Sequence, residues 1–311
     1  MNEYLGISAI CGEEGTGKSS MALRYPKPIF HFDLDVGGFE RARTKLEQDN
    51  PGIRIKECTA GEDITKLDFS QYDVITKAYP RPINVSKMMG QKTTRKNNTT
   101  QDIDIRFPKR VIGVKELWQT FIPDFVLACQ KQVQTIILDT STMMYNMAHN
   151  AHLQELQEKQ IMQTPSLDEN DLREKLLPIE YGPVYDRINQ VFHTARSFRI
   201  NLVLTHYPKD VYADMMNNKG EVVSYNTGKQ DLDGYKHTGK LADIIVWLEI
   251  MQDPVTKKLQ PYAKVHKAGD MPLDAIGEII PATFEGIQAL RQKMMATPLS
   301  LADQLAGMKG G

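Results

Sequence analysis

Cysteine is scarce and unpatterned in these 311 residues: Cys11, Cys58 and Cys129 stand far apart and form no C-x-x-C pair. Neither a disulfide framework nor a cysteine zinc site is expected, and three buried thiols suit a reducing compartment. No apolar run approaches the roughly 18 residues that would suggest a membrane-spanning helix. The first ten residues, MNEYLGISAI, have no basic group ahead of their apolar ones, so no secretory leader is expected. Net charge is also missing, because 38 Lys and Arg face 39 Asp and Glu and leave −1. That excludes a uniformly basic surface and leaves room only for a local patch. Internal repeats are absent too. Together these absences predict a soluble, cytoplasmic protein with no membrane partner, long enough for one large or two modest domains.

What is present begins with ICGEEGTGKSS at residue 10. Gly12, Gly17, Lys18 and Ser19 have the G-x-x-x-x-G-K-[ST] spacing of a phosphate-binding loop. Gly12, Gly15 and Gly17 leave the backbone free to curl, so that successive N–H groups can face a phosphate. Lys18 can reach β and γ phosphates, and the Ser19 hydroxyl can ligate the Mg²⁺ that bridges them. YLGISAI ahead of the loop reads as a strand and SSMALRY behind it as a helix stopped by Pro26, adding its positive end to the same point. ATP and Mg²⁺ are the expected cofactors, with contacts along Gly12, Glu13, Glu14, Gly15, Thr16, Gly17, Lys18, Ser19 and Ser20.

Strands and helices then alternate: KPIFHFDLD, the polar helix VGGFERARTKLEQDN, and GIRIKE. Such alternation implies a parallel sheet with helices on both faces. Residues 77–110 interrupt it with Lys77, Arg81, Lys87, Lys92, Arg95, Lys96, Arg106, Lys109 and Arg110 against only Asp102 and Asp104. This reads as a basic hairpin insertion, either a solvated loop or a contact for nucleic-acid phosphates. The pattern resumes with the helix VKELWQTFIPDFVLACQKQ, the strand TIILDTSTM, a helical stretch over about 146–177, the helix in IEYGPVYDRINQVFHTARSFRI and the strand NLVLTHY. Residues 207–240 lack a clear period and read as a functional loop. LADIIVWLEI and QPYAKVHKAG are two further strands, and the chain is expected to end in a C-terminal helix and flexible tail over 281–311.

A phosphate loop needs a carboxylate on a neighbouring strand to hold the metal, and TIILDT supplies Asp139 at a strand end. Thr140 follows where many ATPases carry the water-activating glutamate, so a base has to come from elsewhere. Asp33 or Asp35, at the end of IFHFDLD, would stand at the same sheet edge; Asp35 is otherwise a helix N-cap.

CGEEGTGKSS, FHFDLDVGG, TIILDTST, EYGPVYDRINQVF, NLVLTHY and LADIIVWLE follow one another as in the phage and prophage RecA-like P-loop ATPases, the single-strand annealing and recombination proteins. The chain resembles that family over most of residues 1–290. The resemblance implies a RecA-like α/β core over 1–280 and a homo-oligomer, filament or ring. It also implies single-stranded DNA as partner, with a single-strand-binding or replication protein as a further one. Asp35 would stand where the family has a catalytic Glu. His206 would match the polar residue that senses the γ-phosphate, or be a satisfied strand-end histidine. Residues 207–240 would resemble a DNA-binding loop, with Lys209, Lys219, Lys229, Lys236 and Lys240 for phosphates and Tyr225 and Tyr235 for stacking. Lys264 and Lys267 resemble the basic pair that one subunit sets against the next subunit's γ-phosphate, or are surface lysines on an edge strand. The DNA-facing set is thus Lys87, Lys92, Arg95, Lys96, Lys109, Arg110, Lys209, Lys229 and Lys236.

Two other readings share the loop. A nucleoside monophosphate kinase has a similar loop, but Asp139 lies far from it in sequence and no Arg-rich lid is visible. A P-loop ATPase acting on a protein, as an assembly or loading factor, also suits the modest charge. A GTPase is disfavoured, because NNKGE at 217–221 lacks the aspartate that reads guanine.

Overall fold

Short runs of β-branched and aromatic residues form the buried centre of the molecule. The computed structural model describes residues 4–35, 37–83, 91–97, 100–106, 109–131, 133–216, 222–253 and 256–296, with 91–97 and 100–106 by backbone alone. In chain order the strands are β1 (Ile7–Cys11), β2 (Ile29–Asp33), β3 (Ile55–Cys58), β4 (Val74–Ala78), β5 (Gln91–Asn97), β6 (Thr100–Arg106) and β7 (Thr135–Asp139). They continue as β8 (Asn201–His206), β9 (Pro208–Met216), β10 (Val222–Leu232), β11 (Ile244–Gln252), β12 (Leu259–Ala268) and β13 (Ile279–Pro281). The helices are α1 (Lys18–Ala22), α2 (Gly38–Asp49), α3 (Val114–Gln130), α4 (Ser141–Gln163), α5 (Tyr181–Ser197), α6 (Thr238–Leu241) and α7 (Phe284–Ala296).

The central sheet has the order β13-β12-β11-β1-β8-β7-β2-β4-β3. From β11 to β3 every neighbour is parallel, and β12 and β13 extend the other edge antiparallel. The fold is therefore α/β, with a mainly parallel sheet flanked by helices, as the alternation predicts. Period-two alternation splits the strand side chains between two cores. Ile7, Phe30, Phe32, Ile136, Leu138, Leu202 and Leu204 pack with Phe121, Phe125, Ala148, Ile188 and Phe192 of α3, α4 and α5. Ile10, Ile29, Ile137, Val203 and Val246 pack on the opposite face with Met21, Phe39, Leu46 and Ile287 of α1, α2 and α7.

Several boundaries differ from the sequence expectation. The strand TIILDTSTM ends at Asp139, because the Thr140 side chain accepts from Met143 N and caps α4. The helix expected over 146–177 is instead 141–163, stopped just before Pro165. α1 is only five residues long and continues through tight turns to Tyr25. Residues 207–240 contain an antiparallel pair, β9 with β10. Most of its side chains on both faces are exposed, so no hydrophobic alternation marks the strands in the sequence.

The insertion also starts later than residue 77. β4 runs through Lys77, which is buried: its Nζ donates to Asp124 Oδ2 and to the Glu62 carbonyl, both at 2.7 Å. The hairpin itself is β5 with β6. α7 packs on the core through Phe284, Ile287 and Leu290, and the tail expected beyond residue 296 lies outside the described residues.

Candidate nucleotide-binding site

The loop after β1 closes on its own lysine. Lys18 Nζ donates to the carbonyls of Gly12 and Glu13 at 2.7 and 2.8 Å, and the Thr16 hydroxyl donates to the same Glu13 carbonyl at 2.8 Å. Gly15 and Gly17 have φ of +80° and +91°, a region that side chains with a Cβ rarely enter. Burial pushes the Lys18 ammonium below the usual lysine range, while Asp139 pulls it back up. α1 is too short for a large helix dipole, so the positive character of this corner comes from Lys18 and from loop amides.

Asp139 ends β7 on the same face and is buried. Thr205 Oγ1 donates to its Oδ1 at 2.5 Å, and Ser19 is a further hydrogen-bond partner. His31 Nε2 lies 3.3 Å from its Oδ2 and, facing a carboxylate, donates; His31 Nδ1 then accepts from the Thr76 hydroxyl at 2.8 Å. A polar row thus crosses β4, β2, β7 and β8 on the face that carries α1 and α2. Burial alone would raise the Asp139 pKa, but the bonds from His31, Ser19 and Thr205 outweigh it and hold the carboxyl below its ordinary range.

A cavity of about 240 Å³ brings these groups together, lined by Glu14, Gly15, Gly17, Lys18, Ser19, Ser20, Asp35, Gly38, Arg41, Asp139, Thr140 and Tyr207. A Cβ on Gly38 would sit 2.9 Å from Asp139 Oδ2 and 3.5 Å from Ser19 Oγ, so glycine there keeps the two oxygens uncovered. Hydroxyl and carboxylate oxygens suit Mg²⁺, which takes one or two protein oxygens and completes its shell from phosphate and water. Among the described residues no cluster of three or more His, Cys, Asp or Glu forms a metal cage. The residues present therefore fit a polyphosphate that arrives with its cation.

Asp35 lines the cavity and accepts from the Tyr207 hydroxyl at 3.0 Å. It does not cap α2; Asp33 does the local work, accepting from Gly37 N at 3.0 Å. His206 is on the other face. Period two sends Thr205 and Tyr207 toward the cavity and His206 away from it, where its Nδ1 donates to the Asp233 carbonyl at 2.8 Å and its Nε2 has no partner among the described residues. Burial drives its pKa down to about 4, so it is neutral. The sensor expected at His206 is therefore not among the cavity side chains.

The remaining expected residues scatter. Lys267 Nζ donates to the carbonyls of Gly239, Lys240 and Ala242, capping α6, while Lys264 is exposed on β12. Tyr235 is buried with its hydroxyl on Asn189, so it is a core residue and not a stacking surface. Lys236 lies 5.0 Å over the Tyr185 ring. Lys209, Lys229 and Tyr225 are exposed on the β9–β10 pair. Lys109 and Arg110 pair with Glu174 and Glu169 at 3.1 and 2.9 Å. Lys92, Arg95 and Lys96 lie on β5, with Arg95 in register with Asp102, whereas Lys87 and Lys219 lie outside the described residues. Sequence reading missed His31, Thr76, Thr205, Arg41 and Tyr207. A histidine inside the apolar run IFHFD was the available signal for the first.

No family model matches the chain, and no curated protein does. A solved structure similar to it is the KaiC-like protein PH0186 from the hyperthermophilic archaeon Pyrococcus horikoshii OT3, with 13% identity and a TM-score of 0.35. The likeness covers 85% of this chain and 79% of that one. What this chain can bind follows from its own cavity.

Proposed function

We propose that the chain binds ATP with Mg²⁺, hydrolyses it, and works as an oligomer on single-stranded DNA in phage-type recombination, annealing or replication. The observation that carries the nucleotide part is the convergence of Lys18, Ser19, Asp35 and Asp139 on one cavity from three separate stretches of chain. When bound, Mg²⁺ and the triphosphate supply the metal charge and the phosphoanhydride for phosphoryl transfer. Lys18 and the loop amides hold the phosphates, and Ser19 and Asp139 hold the cation. His31 and Thr205 keep the Asp139 carboxylate ionised and aimed, and Asp35 orients water. The Asp233 carbonyl, at the foot of β10, accepts from His206 Nδ1 at 2.8 Å and from Thr142 Oγ1 at 2.9 Å. That ties the β9–β10 pair to the residues just after Asp139, a route by which nucleotide state reaches a partner there.

The DNA part is supported by the basic character of the insertion around Lys87, Lys92, Arg95 and Lys96. Lys264 is the residue left for a neighbouring subunit's phosphates. A second reading, a protein partner, is favoured by the β9–β10 pair, which exposes Tyr212, Met215, Met216, Val222 and Val223 and sets Asp210, Asp214 and Asp231 against Lys209 and Lys229. The test is ATP turnover with and without single-stranded DNA across a salt series, alongside DNA binding by a variant lacking 87–106. Stimulation that fades with salt, with weakened binding by the deletion, supports the DNA reading. Turnover indifferent to DNA, with no binding at low salt, overturns it in favour of a protein partner.

A further inference from the structure

Tyr207 closes the NLVLTHY stretch, which assigns it no role of its own. It stands directly after β8 and directly before β9, and three of its groups are engaged at once. Lys18 Nζ lies 4.2 Å from its ring centroid, its hydroxyl donates to Asp35 Oδ2 at 3.0 Å, and its carbonyl accepts from Asp233 N at 2.9 Å. One side chain thus touches both the cation that would hold phosphates and the carboxylate that would orient water. Burial and the adjoining Asp35 carboxylate push the phenol up to about 12, so it stays a donor at any physiological pH.

Both of its partners need such a contact. Asp35 sits on the short turn between β2 and α2, where a carboxylate without a partner samples several rotamers, and loss of orientation at a reacting group is costly. Lys18 has a long flexible stem held at its tip by the Gly12 and Glu13 carbonyls, and the ring face beneath the ammonium adds a cation–π contact that stays available when an anion replaces those carbonyls. His206 cannot substitute, because it faces the opposite side of the sheet.

We propose that Tyr207 is the positioning residue of this cavity, its hydroxyl fixing the Asp35 carboxylate and its ring fixing the Lys18 ammonium. The inference rests on the nucleotide reading of the same site. Because hydroxyl and ring act on different partners, two substitutions separate them: Tyr207→Phe keeps the ring and Tyr207→Leu removes both.

The experiment measures Mg²⁺–ADP binding by calorimetry and single-turnover hydrolysis of Mg²⁺–ATP for both variants, for Asp35→Asn and for the Tyr207→Phe/Asp35→Asn double variant. Tyr207→Phe is expected to bind Mg²⁺–ADP within about twofold of the parent while hydrolysis slows about tenfold. In the Asp35→Asn background the same change is expected to cost nothing more, since the hydroxyl acts through that carboxylate. Tyr207→Leu is expected to weaken Mg²⁺–ADP binding about fivefold to tenfold as well. Unchanged hydrolysis in Tyr207→Phe, an equal loss in the Asp35→Asn background, or no hydrolysis by the parent overturns the hydroxyl's role. Unchanged affinity in Tyr207→Leu overturns the ring's role. Lys18→Ala separates the two levels: if it binds Mg²⁺–ADP as the parent does, the nucleotide reading itself falls, whereas loss of binding there with an unresponsive Tyr207 series sinks only this inference.

Discussion

The cavity lined by Lys18 and Asp139 and the β9–β10 pair adjoin at Tyr207 and are built in opposite ways. In the cavity polar groups are spent on one another: Lys18 on two carbonyls, Asp139 on Thr205 and His31, His31 on Thr76. On the β9–β10 pair Tyr212, Met215, Met216, Val222 and Tyr225 are exposed. A buried ionic site requires its partners in place, since each unpaired charge in the interior is expensive. An exposed strand pair has no such requirement. Chemistry can therefore be read from the first region and only a class of contact from the second.

The strongest way to break the contrast is to remove the cavity's lysine. Lys18→Ala is expected to weaken Mg²⁺–ATP binding roughly a hundredfold or more, read by calorimetry. Unchanged affinity would mean that the closed loop serves only the fold.

A second test uses the neutral histidine at the foot of the β9–β10 pair. Unfolded His206 takes up a proton near pH 6.5, but in the folded protein it does so only near about 4. Between those values the unfolded state binds more protons, so stability falls as pH falls, by about 3 kcal/mol once pH 4 is reached. Asp139 has the same sign in a lower window: its lowered pKa contributes stability that is present above the ordinary carboxylate range and is lost as pH falls below it. Urea unfolding at pH 7 and pH 4.5 should show the His206 slope, and His206→Gln should flatten it. An equal slope in that variant would locate the titration elsewhere.

Much of this was legible in the sequence, and the parts that were not have a common cause. The loop, its strand, Asp139 at a strand end and the mainly parallel sheet all follow from local pattern, because apolar runs and a fixed glycine spacing report on adjacent residues. Which strand end faces which layer does not. His206 and Tyr207 are neighbours in the sequence, yet a period of two puts them on opposite faces, and only the register of β8 between β1 and β7 decides which one meets the loop. Lys77 and Lys267 are similar cases. Lys77 reads as part of a basic insertion and Lys267 as a subunit-contact or edge-strand lysine, and each is tied to partners far away in the chain, Asp124 for one and the end of α6 for the other.

Lys267 and Lys264 turn that lesson into a measurement. Lys267→Met removes three donated hydrogen bonds and is expected to cost about 2 kcal/mol of stability in urea. Lys264→Met, on an exposed side chain, is expected to stay within about 0.5 kcal/mol. If Lys264 serves a neighbouring subunit, its variant should lose turnover while remaining as stable as the parent; equal turnover would remove it from the site.

The smallest expected effects on stability belong to the β9–β10 pair, where the proposed DNA and protein contacts can be told apart. Lys209→Gln with Lys229→Gln, and separately Met215→Ser with Val223→Ser, should each leave the unfolding free energy within about 0.5 kcal/mol, because all four side chains are exposed. If the pair tracks DNA phosphates, the lysine variant lowers the slope of log affinity against log salt by about two, one for each lost contact. If it seats on a protein, that slope is unchanged and the Met215 and Val223 variant loses binding, since apolar area is then what the contact covers. The acidic Asp210, Asp214 and Asp231 bear on the same choice. They repel a polyanion along both strands, so a slope that the lysine variant leaves unchanged, with binding lost in the Met215 and Val223 variant, would identify the exposed methionines and valines as the contact.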